Sequence, residues 1–189
     1  NRLELSTVLE LLALEPVRRK FDIDEGAFAT VERWLTDLQV HWGIDDTYRA
    51  GAPWNYPTGI EAGTWRIAID RLINGILVQS PEDRETLTGV VGYDDIGGSS
   101  IELVGNLASF VDELSEFTTF CSEPRFASEW GDTLEALFSA LFEVPFEDRN
   151  QLADALDVAR ELRMHAATSA ELAQLGFREI SALFAEELD

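Results

Sequence analysis

Apolar residues recur at helical spacing along almost the whole of this chain, and that recurrence limits the fold more than any other feature. Phe28, Val31, Leu35 and Leu38 share one helical face, as do Trp65, Ile69, Leu72 and Ile76. Leu103, Leu107, Phe110, Leu114 and Phe117 form a further register, followed by one through Trp130, Leu134, Leu137, Phe138 and Leu141. Two more run through Leu152, Leu156, Ala159 and Leu162 and through Ala173, Phe177, Ile180, Phe184 and Leu188. Helices with one apolar stripe must bury it against one another. The expectation is an all-α, compact multi-helix domain.

Boundary signals agree with these registers. The apolar stretch Leu3–Leu14 reads as a short helix ended by Pro16, because the residue before a proline disfavours helix. Val17–Phe21 is a short turn or helical piece that carries Arg18, Arg19 and Lys20. Asp24 suits an N-cap, with Glu25 favourable in the first turn, and the helix that follows stops near Val40. Asp45–Gly63 is loop-like, with Pro53, Trp54, Asn55, Tyr56 and Pro57, and Thr64 is a candidate cap for the next helix. Gln79–Ser100 is punctuated by Pro81, Gly89, Gly92, Gly97 and Gly98, with one short strand expected over Leu87–Tyr93. Ser99 or Ser100 caps a long helix to about Thr119, and Pro124 separates it from the next. After Pro145 a helix is expected from Glu147 to about His165, then a last one opened by Thr168 and Glu171 at capping-box spacing. The 189 residues suit a single helical domain, 1–189. Asn1 leads straight into an apolar pattern with no initiator methionine, which reads as a piece of something longer.

Charge divides this chain. The net is −22, yet residues 1–80 hold 8 basic against 12 acidic side chains, and residues 81–189 hold 6 against 24. The second part repels polyanions, so a surface for a phosphate backbone belongs to the Trp-rich first part. There Arg49, Trp54, Tyr56, Trp65, Arg66 and Arg71 interleave basic and aromatic types, as single-strand nucleic-acid surfaces do. The competing reading, stronger for each residue taken singly, puts Trp65 in the core and pairs Arg66 and Arg71 with carboxylates such as Asp70 or Glu61. Cys121 stands alone, so the chain holds no internal disulfide framework. With no signal-peptide pattern and no apolar run near ~20 residues, it reads as soluble and cytoplasmic.

Catalytic patterns fail on inspection. Gly97-Gly98-Ser99-Ser100 precedes a helix, but it lacks the lysine and spacing of a phosphate loop, and Asp94 and Asp95 adjoin it. Neither His41 nor His165 has a glutamate three positions before it, as a helical metal site would require. Cys121 has Phe120, Ser122 and Glu123 as neighbours, with neither a base nor a positive setting. No catalytic residue, cofactor or metal site is expected.

Four blocks, in order and at their intervals, carry a resemblance: LLALEPVRRKFDIDEGAFATVERWL, HWGIDD, GTWRIAIDRLINGIL and GYDDIGGSSIELVGNLASFVDEL. Together they resemble the RecC family, the gamma chains of exodeoxyribonuclease V, the RecBCD helicase–nuclease. The likeness is concentrated over Leu9–Leu114; the loop Ala50–Gly63, with its WNYPTG run, and the acidic tail depart from it. The resemblance implies the 2B-like helical domain of an inactivated, UvrD-type superfamily-1 helicase fold. It implies a non-catalytic scaffold that supports subunit assembly and strand guidance, with RecB-like and RecD-like subunits as partners and DNA met through the complex. Arg18, Arg19, Phe21, Trp42, Gly43, Ile44, Asp45, Thr64, Trp65 and Asp70 are the signature residues, read as structural. Arg49, Arg66 and Arg71 are the candidates for contact with DNA or a partner. The alternative is an acidic helical interaction module with no nucleic-acid role.

Overall fold

The computed structural model describes residues 2–51, 53–77, 89–145, 153, 154, 156–161, 164 and 174–188. It is helical, as the periodicity predicts: α1 Leu5–Leu12, α2 Glu15–Lys20, α3 Glu25–Asp37, α4 Asp46–Ala50, α5 Trp65–Leu77, α6 Ile101–Phe120, α7 Ala127–Leu141 and a last helix Phe177–Leu188. Among the described residues the only β pairing is a single bridge between Arg125 and Leu175. The chain packs as two compact units, residues 1–112 and 113–189, with the division falling inside α6.

In the first unit local chemistry fixes where each helix begins and ends. The helix expected over Leu3–Leu14 runs only from Leu5 to Leu12, and Pro16 sits in the first turn of α2, where its missing N–H costs nothing. The C-terminus of α2 is closed by Ile23 N–H donating to Arg18 O (2.8 Å) and Asp22 N–H to Arg19 O (3.2 Å), with Asp22 at φ +49°. That is a Schellman closure with aspartate in the left-handed position. α3 ends the same way, with Val40 N–H on Leu35 O, Gln39 N–H on Thr36 O, and Gln39 at φ +55°. Its start is capped by Asp24, which accepts from Ala27 N–H at 2.7 Å. Thr64 Oγ1 accepts from Ile67 N–H at 3.3 Å and caps α5.

The loop expected over Asp45–Gly63 contains a five-residue helix, α4. Asp45 caps it by accepting from Tyr48 N–H at 2.7 Å, and it is too short for any periodicity to reveal it. The strand expected over Leu87–Tyr93 lies partly outside the described residues, and residues 89–93 form irregular loop instead. A three-residue 3-10 turn, Gly98–Ser100, leads into α6. Trp65, Ile69 and Leu72 are almost wholly buried, with Val31, Trp34 and Leu35 of α3 likewise buried. Phe21 meets Phe110 of α6 edge to face at 5.3 Å.

In the second unit Trp130 is the buried centre. With Leu134, Ala159 and Ile180 it forms a core against which Phe117, Phe120, Leu137 and Leu175 pack. Its indole N–H donates to Leu175 O at 2.8 Å, and Phe120 meets it edge to face at 5.0 Å. Glu129 reaches back to accept from Phe126 N–H at 2.9 Å and satisfies the start of α7. The predicted capping box at Thr168 and Glu171, and Leu152, Leu162 and Ala173 of the predicted registers, lie outside the described residues.

Candidate functional site

The densest polar constellation centres on Arg49, in the last turn of α4. The side chain is 3% exposed, and among the described residues no carboxylate answers its charge. Instead, backbone carbonyls enclose it. Nε and Nη2 donate to Trp42 O (3.1 and 2.6 Å), Nη2 also to Gly63 O (2.8 Å), and Nη1 to Ala62 O (2.9 Å) and Ile60 O (3.2 Å). Five N–H donors thus meet four carbonyls. Trp42 presents its ring face to the guanidinium at 4.7 Å, so the ring's negative face adds to the carbonyl dipoles. Burial pushes the guanidinium below its ordinary value, partly offset by Tyr56, and it stays cationic at neutral pH.

Two glycines make room for this cage. Gly43 has φ +75°, and a Cβ there would stand 2.9 Å from Arg49 Cγ; Gly63 has φ +72°, with His41 Cδ2 2.9 Å from the same hypothetical atom. Around them the backbone is tied at Leu5 N–H to His41 O, Gly43 N–H to Arg2 O, Trp65 N–H to Gly43 O and Arg66 N–H to Ile44 O. Trp65 adds its indole N–H to Leu3 O at 2.9 Å. On the outer side of the cage Trp42 meets Trp54 (6.0 Å) and Tyr56 (5.8 Å) edge to face, and Arg2 lies over Trp54 at 4.8 Å. Of the signature residues, Trp42, Gly43, Ile44 and Trp65 thus meet in one knot of chain.

A second signature block is laid across α5. Gly75 and Gly92 allow backbone to touch backbone: a Cβ on Gly75 would stand 2.2 Å from Tyr93 O, and one on Gly92 2.7 Å from Gly75 N. Asn74, itself buried, donates to Val90 O (3.1 Å), Arg71 Nε to Val91 O (3.1 Å), and Tyr93 N–H to Arg71 O (2.8 Å). Tyr93 then donates its hydroxyl to Asp37 on α3 at 2.7 Å, and Arg33 pairs with Asp95 at 3.4 Å. Burial, then the Asp37 contact and charge, pushes the Tyr93 phenol up to about 12.

Of the three arginines singled out in sequence, Arg49 lies in the interior with its donors on carbonyls. Arg66 pairs at 3.0 Å with Asp112 of α6, a partner outside the two carboxylates named from sequence, and remains half-exposed. Arg71 holds the 90–93 strap. The structure does not gather the three into one surface. Among the remaining signature residues, Arg18 Nε donates to Ala13 O, Arg19 pairs with Glu15, and Phe21, Gly43, Ile44, Thr64 and Trp65 are buried. Asp70 is half-buried on α5.

In the second unit Arg125 stacks on Phe120 at 4.3 Å and donates Nε to Phe120 O. Burial pushes the nearby Cys121 thiol up to about 12, the opposite of an activated nucleophile. Among the described residues no group of three His, Cys, Asp or Glu side chains is placed to hold a metal, and no helix is long and apolar enough to cross a membrane.

Comparison with known proteins puts these observations in a family. The model of the family described as RecBCD enzyme subunit RecC fourth domain matches residues 1–189. The RecBCD enzyme subunit RecC of Mycolicibacterium smegmatis is 31% identical over 143 residues, 75% of this chain and 12% of that protein. The same subunit of Mycobacterium tuberculosis H37Rv is 31% identical over 134 residues, 71% of this chain and 12% of that protein. That of Escherichia coli K12 is 28% identical over 144 residues, 75% and 12% respectively. This chain thus spans about an eighth of the length of the relatives it matches. It belongs to the RecC family, as the fourth domain of that subunit.

Proposed function

We propose that the chain is a non-catalytic scaffold domain of a RecC-type subunit in a helicase–nuclease that processes DNA breaks in the cytoplasm. Its partners are RecB-like and RecD-like subunits, and it meets DNA through the assembled complex. The observation that carries this reading is the family match across the whole chain. The caged Arg49 supports it: a cation whose five donors are spent on carbonyls holds chain segments together and leaves none for a phosphate. By resemblance the domain takes the place of the 2B-like insertion, and its two compact units act as one domain of the subunit. The net charge favours a second reading, an acidic interaction module whose partner presents a basic surface and no DNA.

The test is reconstitution. A full-length RecC-type subunit in which this domain is unfolded by substitutions at Arg49 and Trp130 should fail to assemble with its RecB-like and RecD-like partners. Assembly and strand separation that proceed normally with the domain unfolded would reject the scaffold role.

A further inference from the structure

The knot around Arg49 turns part of its aromatic side outward. Tyr56 is 41% and Ile60 40% exposed, Trp54 is half-buried, and Arg2 lies on the Trp54 ring. Tryptophan, tyrosine and arginine are the residue types that dominate the centres of protein interfaces. The loop that displays them is also held rigid. Trp54 N–H and Asn55 N–H donate to Gly51 O, Tyr56 N–H to Arg49 O, and Gly59 N–H to Asp46 Oδ2 at 2.9 Å. A surface fixed in this way loses little conformational entropy when something docks on it.

The course of the chain points to what covers it. Residues 2–5 are tied into the same knot, through Arg2 O, Leu3 O and Leu5 N–H. Arg2 itself lies on the Trp54 ring, so whatever chain precedes this domain in a longer protein enters beside the cluster. The matched family is the fourth domain of its subunit, which places other domains ahead of it in the relatives. Charge argues against a nucleic-acid strand as the occupant. Residues 1–112 carry 9 basic against 19 acidic side chains. Arg49 is buried with its donors occupied, so few phosphates could be neutralised here.

We infer that in the full-length subunit the surface formed by Arg2, Trp54, Tyr56 and Ile60 is an intramolecular docking face, covered by the preceding domain of the same chain. An apolar side chain of that domain lies on Trp54 and Tyr56, and an oxygen acceptor meets the outer edge of Arg2. The inference rests on the chain being one domain of a longer RecC-type subunit, and it is independent of whether that subunit acts as a scaffold.

Hydroxyl-radical footprinting of Trp54 and Tyr56 tests it without altering a residue. Four samples are compared: the 189-residue chain, the full-length subunit alone, the full-length subunit with its RecB-like and RecD-like partners, and that assembly with DNA. Tyr56 oxidation should fall about tenfold between the first two, from 41% exposure to the few per cent left in an interface core. It should not change further on assembly. Equal oxidation in the first two samples would overturn the inference. So would protection that arises only when a partner subunit is added, which assigns the face to that subunit, or only with DNA, which assigns it to bases. Any of these results leaves the assembly test of the scaffold role untouched.

Discussion

Replacing Arg49 by methionine should destabilise the first unit far more than a typical substitution in a loop-flanking helix. Methionine fills much of the volume of the arginine stem, so the change removes donors more than packing. Gly63 O keeps a partner in His41 N–H, while the carbonyls of Trp42, Ile60 and Ala62 lose the guanidinium donors that satisfied them. Charge-assisted hydrogen bonds contribute about 1.5–3 kcal/mol each but do not add, and an abandoned carbonyl costs about 1–3 kcal/mol. Ile60 and Ala62 lie in exposed chain and can recover water, which lowers the total. A net loss of about 3 kcal/mol follows. With a urea slope near 2 kcal/mol/M, the first unit's midpoint should drop by about 1.5 M. Near-ultraviolet circular dichroism of the Trp42 cluster is the right probe, because two units need not unfold together. Urea is the right denaturant, because guanidinium ion would refill the cage. Arg49→Lys should recover little, since an ammonium has three donors and no planar fork, leaving a loss of about 2 kcal/mol. A methionine variant whose midpoint lies within about 0.3 M of the parent would refute the idea that the caged cation holds this chain together.

Gly75→Ala removes a helix-interior glycine, which alone would stabilise by about 1 kcal/mol. It should instead destabilise and raise amide exchange across residues 90–96, because the added Cβ would stand 2.2 Å from Tyr93 O; a higher melting temperature would contradict that contact. Trp65→Ala should cost about 3–5 kcal/mol, read as a lower denaturation midpoint, and an unchanged midpoint would mean that Trp65 is not core. The Tyr93 phenol is raised from 10.0 to about 12, so the folded state holds this proton more tightly than the unfolded chain. Its contribution is full below pH 10 and is lost as pH rises toward 12. Tyr93→Phe should flatten the alkaline fall in stability over that window, measured against a Cys121→Ser control because that thiol titrates in an overlapping range. The 189-residue chain should show neither ATP turnover nor nuclease activity, and turnover that survives repurification and disappears on mutation of the chain's own residues would overturn this.

The helices were legible because burial imposes a period that runs for several turns, as along Trp65, Ile69, Leu72 and Ile76. The Asp24 and Thr64 caps were legible because a short polar side chain before an apolar register has few other uses. α4 was not, since five residues give no period, although Asp45 three residues before Tyr48 is the signal that could have found it. Arg49 illustrates the limit more sharply. In sequence an arginine among aromatics reads as a surface cation, because nothing local shows that four carbonyls from residues 42–63 will converge on it. The available hint was its position between Gly43 and Gly63, two residues at positive φ. The strap over α5 was hidden for a similar reason: Gly75 in a helix and Gly92 in a loop declare a close approach only when paired. Arg66 was expected to find a carboxylate and did, but on α6, 46 residues away, a separation that no local reading supplies.

Whether the domain by itself binds protein and not nucleic acid is decided by one binding experiment on the 189-residue chain. The chain is immobilised and exposed in turn to a RecB-like subunit, a RecD-like subunit and a single-stranded oligonucleotide at about 0.15 M salt, where charges screen over ~8 Å. Saturable binding of at least one subunit is expected, with no measurable retention of the oligonucleotide. Tight retention of the oligonucleotide, falling with salt at a log–log slope of about −0.7 for each phosphate neutralised, with no binding of either subunit, would contradict it.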